Sequence, residues 1–581
     1  MWRPFRFAWL GLGGRDGAAP GPALARWWPA ALGLAFGVLA LGPALGPGFV
    51  LRYDMVFVPD PPLRLGDGFP RAVPSDQVVA LLSAVVPAQI VQKAILLGLF
   101  VLAASGAGAL ARDVLPGGGI VPRLAAAAFY AWNAYLAQRL LIGQWALLLG
   151  YAGLPWAVRA AARGGALRLA VALLPAAVGG FQAMLVSALT VLPVAALRRL
   201  PAHRPEPPDH AEARPVEPGG SARARRRWRA VLSSVSPPLG VFAVLSLPWL
   251  VPALVSVLGA DATADPAGVA AFAPRADGPF GTLGSLLTLG GIWNSHATVP
   301  GQDMPALAAV RLALTLVAVA GFVRLGFVRL GFVRLGSVRL GSVRRPAWWP
   351  GLAAAACAGV LIACAGAFAP GVPRALIGWW AGFGPLRDAQ VYVAPLAAAQ
   401  AVGVAVAMAA LRAAMPAPVA AVAVAVPVLA LPTFALGAFG RLGTAEYPEE
   451  WRRVQAVVNG DPAPGALLSL PWSAYRAFPW NGGRVVLDPA TKMFSRPVVW
   501  NDALVVGTGG GRRIRVAAES PRARRIGALL AGPATASLTG ALKREGVRFV
   551  LAGGVDENTF LSRLPGATPV YRGPELLLVR L

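Results

Sequence analysis

The chain has 581 residues, 56% of them hydrophobic and 14% charged, with a formal net charge of +27. Soluble domains carry roughly 25% charged residues, so a string of ordinary soluble domains is excluded. The basic surplus is no nucleic-acid footprint either, because it collects in alternate loops between long apolar runs. Runs such as 349–368 and 417–440 match the ~20 apolar residues that cross a ~30 Å hydrocarbon layer as a helix. The predicted class is an α-helical polytopic membrane protein of about eleven transmembrane helices with a C-terminal extracytoplasmic α/β domain. Nearly all basic residues are Arg, and Ala, Gly and Pro abound, which reads as the codon bias of a high-GC bacterium.

Residues 1–26 carry Arg3, Arg6, Arg15 and Arg26 and read as a cytoplasmic segment before a first span at 27–45, taken as an anchor. A loop over 46–77 holds Asp54, Asp60, Asp67 and Asp76. Spans follow at 88–111, 119–137 and 143–158, the last two joined by Asn133, Gln138 and Arg139. A helical pair covers 169–181 and 183–197, its first member short for a crossing.

The Pro-rich stretch 198–229 has nine arginines against four acids and reads as a disordered cytoplasmic loop. A span at 230–257 leads into a long loop to Pro305, which contains Trp293, Asn294 and His296. After the span at 306–322, Arg324, Arg329, Arg334, Arg339 and Arg344 recur every five residues. That period fits neither a helix nor a strand face. The repeat 322–345 reads as an expansion at the cytoplasmic surface, where arginines meet anionic lipid. Spans at 349–368, 391–411 and 417–440 complete the set.

The Arg-rich loops fall on one side and the acid-bearing loops on the other, so the first set is cytoplasmic. An odd number of spans then puts the tail outside the cytoplasm of a bacterial cell membrane. The expected organisation is a cytoplasmic segment 1–26, a multi-span domain 27–440 and an extracytoplasmic α/β domain 441–581. In that tail, strands are predicted at 466–471, 484–487, 497–500 and 547–552, helices at 535–545 and 556–564, and a closing hairpin at 568–571 and 576–579. The Gly-rich run 507–513 lacks the Lys-Ser/Thr of a phosphate loop and reads as a plain turn.

Cys357 and Cys364 are seven apart in one apolar helix, too far along it for a disulfide. With three histidines, no His/Cys metal site is expected. The informative acid is Asp54, set among aromatic and apolar residues within a few positions of a helix end. A carboxylate there can serve as a base, or hold a divalent cation, for a substrate whose other end stays in lipid. It can equally be a solvated loop acid or a local cap. Gln138 and Arg139 at a helix junction, and Trp293, Asn294 and His296 in the long loop, are candidate sugar contacts or interfacial anchors.

The acidic first loop directly after the first helix, the many spans and the C-terminal domain together resemble the GT-C superfamily of polyprenyl-phosphate-dependent membrane glycosyltransferases. Two passages add to the likeness: Leu386-Arg387-Asp388-Ala389-Gln390 before a late span, and Leu542–Leu551 as a helix–strand unit of the tail. The resemblance implies Asp54 as the base taking a proton from an acceptor hydroxyl, with Asp60 or Asp67 as alternates. It implies inverting transfer and Arg387 as the donor-phosphate ligand, since a guanidinium matches phosphate oxygens with two donors. The implied partners are membrane lipid, a polyprenyl-phosphate sugar and a cell-envelope glycan acceptor, and no nucleic acid. Unlike many members, this chain has no adjacent acids in the first loop, and its metal requirement is open. Two other classes share the architecture: a non-catalytic envelope scaffold with a glycan-binding tail, and a transporter or lipid flippase.

Overall fold

The structure is a computed structural model that describes residues 25–64, 73–198, 220–258, 265–327, 334–335, 338–339, 343–507, 512–533 and 537–581. Asp67, most of the Arg-rich loop and most of the five-residue repeat lie outside the described residues. The membrane part is built from α1 (Trp28–Leu41), α2 (Ala88–Val114), α3 (Val121–Ala131), α4 (Ala134–Leu141), α5 (Trp145–Arg163), α6 (Ala166–Gly179), α7 (Phe181–Leu197), α8 (Gly220–Leu258), α9 (Pro305–Gly326), α10 (Trp349–Phe368) and α11 (Ala394–Ala414). Pro29, Pro122, Pro305, Pro350 and Pro395 stand in the first turn of their helices, where the missing N–H leaves no gap in the ladder. Prolines also lie inside α5, α6, α7 and α8, and in α5 the Tyr151 carbonyl freed by Pro155 accepts from the Tyr130 hydroxyl at 2.7 Å.

Six described helices are long and apolar enough to cross a membrane, or seven if the pair 418–430 and 432–440, bent by 67°, counts as one span. That is short of the eleven expected, and the shortfall has local causes. The expected third span breaks at Trp132 and Asn133 into α3 and α4. The pair near 169–197 forms helices of only 14 and 17 residues. By contrast α10 occupies 349–368, as expected.

At the centre lies α11, against α2, α3, α9 and α10. Its closest approach is to α9, where a Cβ on Gly403 would stand 1.7 Å from the Ala318 carbonyl oxygen. Only glycine allows the two backbones that near, and such contacts drive helix association in lipid, where apolar burial supplies little.

The C-terminal region is α/β. A five-stranded sheet has the order β10-β11-β9-β3-β6, from β3 (Ala466–Leu470), β6 (Val498–Val499), β9 (Val547–Gly553), β10 (Thr568–Arg572) and β11 (Leu576–Arg580). The pairs β3–β6 and β3–β9 are parallel, while β9–β11 and β11–β10 are antiparallel. Alternation along the strands sorts the side chains. Leu467, Phe549, Leu551 and Leu578 join the core shared with the membrane bundle. Leu468, Val550, Leu577 and Val579 face a second core with helices at 521–530 and 539–544.

Further pieces tie this region to the bundle. Strand β1 (Phe49–Val50) pairs with β2 (Thr444–Ala445), and the hairpin of β4 (Tyr475–Ala477) and β5 (Val485–Leu487) receives Tyr53 as a bridge partner. The Gly-rich run joins β7 (Leu504–Gly507) to β8 (Arg513–Val516), an antiparallel pair. Its Val506 and Val516 pack on Ala271 and Phe272 of the long loop.

Candidate active site

The break after α3 creates the site. Asn133 accepts a hydrogen bond from Leu136 N at 3.1 Å, capping α4, while its amide donates to the Phe129 and Tyr130 carbonyls and to the Tyr151 hydroxyl. A capping Asn that also closes the preceding helix redirects the chain within one turn. The short α4 thereby carries Gln138 and Arg139 into the protein, and both are fully buried.

Arg139 meets Asp388 end-on, Nη1 to Oδ2 at 2.6 Å and Nη2 to Oδ1 at 2.9 Å. It donates further to the side-chain oxygens of Gln390 and Gln144. A buried ion pair persists only when its remaining donors are satisfied, as they are here. Gln138 donates to Asp277 Oδ2 at 2.6 Å and to Gln302, and accepts from Ile292 N. Asp277 also accepts from Gly291 N, and Gln390 donates to the Gly290 carbonyl. The long loop 265–305 is thus clamped to α4 and to the turn before α11.

Asp54 is brought to this network by the first loop. Gln89, Gln92 and Lys93, on one face of α2, hold the backbone of Gly48 and Val50. Asp54 N then donates to the Ile142 carbonyl, next to Gly143. Gly143 has φ +86°, and a Cβ there would lie 2.2 Å from Met55 N and 2.8 Å from Asp54 N. The loop rests on bare backbone at this point. Tyr475 donates its hydroxyl to Asp54 Oδ1 at 2.5 Å, and its ring meets Tyr53 edge-on at 6.1 Å. The Asp54 side chain is half-buried.

Beside Asp54 lies a basic group. Arg52 donates to the Leu141 and His296 carbonyls at 2.9 Å each, Arg441 to the Thr298 carbonyl at 2.5 Å, and Arg484 to the Thr444 carbonyl and Asn481 Oδ1 at 3.1 Å each. Among the described residues none of the three forms an ion pair. Burial lowers the pKa of Arg52, and the charges of Arg441 and Arg484 push the same way.

The other expected residues are placed as follows. Arg387 pairs with Glu519 at 2.6 Å and covers the Phe272 ring, joining the loop before α11 to the C-terminal region. Asp60 is exposed, and its carbonyl accepts from Gln455, on the far side of the first loop from α4. Trp293 stands edge-on to Phe272 at 4.8 Å, with its indole N–H buried and unpartnered. Asn294 caps the turn through His296 N, and the His296 ring is exposed. Among the described residues no group of three His, Cys, Asp or Glu side chains is placed to hold a metal ion. Asp277, Gln302, Tyr475 and the Arg52–Arg441–Arg484 group were not among the expected site residues. The only local signal was the Arg387-Asp388-Ala389-Gln390 turn.

No protein-family model matches the chain, and no curated protein matches it. Among solved structures it is similar to the arabinofuranosyltransferase AftD from mycobacteria, with a TM-score of 0.55 at 16% identity over 97% of this chain and 40% of AftD. A mutant form of AftD gives a TM-score of 0.53 at 16% identity, over 97% of this chain and 42% of that one. The chain therefore spans about two fifths of AftD's length. At this identity the likeness establishes the fold alone, which is the one seen in that arabinofuranosyltransferase.

Proposed function

We propose that the chain is an inverting glycosyltransferase that moves a sugar from a polyprenyl-phosphate donor to a cell-envelope acceptor at the outer face of a bacterial plasma membrane. The observation that carries this reading is the placement of Asp54. Its backbone rests against Ile142 and Gly143, and its half-buried carboxylate accepts a hydrogen bond from the Tyr475 hydroxyl. A carboxylate fixed at a membrane-proximal cleft can take the acceptor's proton as the acceptor oxygen attacks the anomeric carbon and the lipid phosphate leaves.

For that phosphate, the Arg52–Arg441–Arg484 group is a stronger candidate than Arg387, whose guanidinium is engaged with Glu519. Three positive charges that have no carboxylate partner among the described residues suit a leaving phosphate. Gln138 and Arg139, buried with their donors used internally, act as positioning residues. The orientation, with the N-terminus inside and residues 441–581 outside, follows from the arginine distribution.

The test is a transfer assay in membranes containing the protein, with labelled polyprenyl-phosphate arabinose or mannose, comparing wild type with Asp54→Asn at equal protein level. Product from wild type alone supports Asp54 as the base. Equal product from both moves the base to another acid, with Asp277 next to be replaced. No product with any donor sinks the catalytic reading in favour of an envelope scaffold.

A further inference from the structure

The sheet of the C-terminal region encloses a second feature, on the face of its own smaller core. β6 and β9 lie on opposite sides of β3, so the chain reverses its direction across the sheet between β3 and β9. In a sheet with parallel strands such a reversal parts the flanking connections and opens a crevice at the carboxyl ends of the two strands, the usual place for a small ligand. A cavity of about 220 Å³ lies there. Leu468, Leu470 and Trp472 line it from β3 and just beyond, Val550 from β9, and Leu542 and Phe560 from the covering helices.

One group departs from this apolar lining. Arg563, at the end of the helix Glu557–Ser562, reaches the cavity wall with Nε and Nη2 shut away from water and without an acceptor. These two nitrogens form one edge of the guanidinium. The same edge holds a carboxylate side-on elsewhere in the chain: Arg525 takes Glu545 at 2.9 and 3.0 Å, and Arg159 takes Asp113 at 2.7 and 2.9 Å. Arg563 has the fork and no carboxylate.

We propose that this cavity binds a small amphipathic carboxylate, its apolar body along Leu470, Leu542 and Phe560 and its head on the Nε–Nη2 edge of Arg563. A single guanidinium edge matches a planar monoanion, whereas a phosphate monoester, with nearly two charges, would call for a second cation. The site is independent of the glycosyltransferase reading, because it lies on the sheet face opposite the core shared with the bundle.

The experiment uses the full chain in nanodiscs of zwitterionic lipid, with octanoate as the probe and 1-octanol as its uncharged counterpart. Hydrogen exchange is read over 466–472 and 557–564. Octanoate is expected to slow exchange there saturably and octanol to have no matching effect. Arg563→Gln should weaken the octanoate response at least tenfold, and Val555→Trp, which fills the cavity mouth, should abolish it. Exchange in β9 without ligand shows that each variant is folded; if Arg563→Gln is not, Val555→Trp alone decides. Absence of octanoate protection, equal protection by octanol, or an unchanged response in folded variants overturns the proposal.

Discussion

Replacing Gly143 by alanine tests the placement of Asp54 without removing any functional group. The added Cβ would sit 2.2 Å from Met55 N and 2.5 Å from the Arg52 carbonyl oxygen, where real contacts stay beyond 3.0 Å. Both obstacles are backbone, so the first loop must retreat by roughly 1 Å, and a misplacement of that size costs about 100-fold in rate. A hundredfold loss corresponds to about 2.7 kcal/mol of transition-state stabilisation. The positive φ of +86° adds local strain of about 1–3 kcal/mol to the folded state. Gly165, with φ +96° and nothing within 4 Å of its Cβ position, is the matched control, strained alike but remote from the site. In the transfer assay Gly143→Ala should lose about 100-fold in kcat while Gly165→Ala stays near wild type. Activity of Gly143→Ala within a few-fold of Gly165→Ala would refute the role of the Asp54 seat.

Other expectations concern stability. Asp388→Asn leaves the buried Arg139 guanidinium without a counter-charge, at a cost of about 3–5 kcal/mol, whereas the double variant Arg139→Met, Asp388→Leu should recover most of it. Thermal unfolding of the two decides, and a single variant as stable as the double would count against a buried charged pair. The Arg548 hydrogen bond, aided by the Ala463 N–H and the charges of Arg548 and Arg496, holds the Asp461 carboxyl below its usual range. A depressed folded pKa stabilises fully above the unfolded value of about 3.9 and is lost as pH falls through the folded value. Exchange protection in β9 should therefore fall between about pH 4 and lower values, and less so in Arg548→Met. Arg563→Met keeps the aliphatic stem and removes two unpartnered buried donors, each costing about 1–3 kcal/mol, so the C-terminal region should unfold at higher temperature.

Much of the scaffold was legible because it is written locally. Apolar length marks α10 at 349–368, and strand alternation marks β9 and the closing hairpin to within a residue or two. Where local signals conflict, boundaries moved. Asn133, read with Gln138 and Arg139 as joining two spans, caps α4 because its side chain finds Leu136 N, two carbonyls and Tyr151. The strand expected at 484–487 is present at 485–487, but its hairpin partner at 475–477 and the helix at 521–530 went unforeseen, since their short polar-rich stretches lack a clean period.

The sequence by itself determined that this chain is a helical membrane protein with an α/β C-terminal region, and it put forward Asp54 as a candidate acid. These follow from hydropathy, periodicity and the distance of a carboxylate from a helix end, all properties of neighbouring residues. Only the tertiary structure decided what Asp54 and Arg139 meet. Tyr475 is 421 positions from Asp54, and Asp388 is 249 positions from Arg139. Contacts of that range come from how α4, the long loop and the C-terminal hairpin pack together, and no local pattern in the chain encodes that packing.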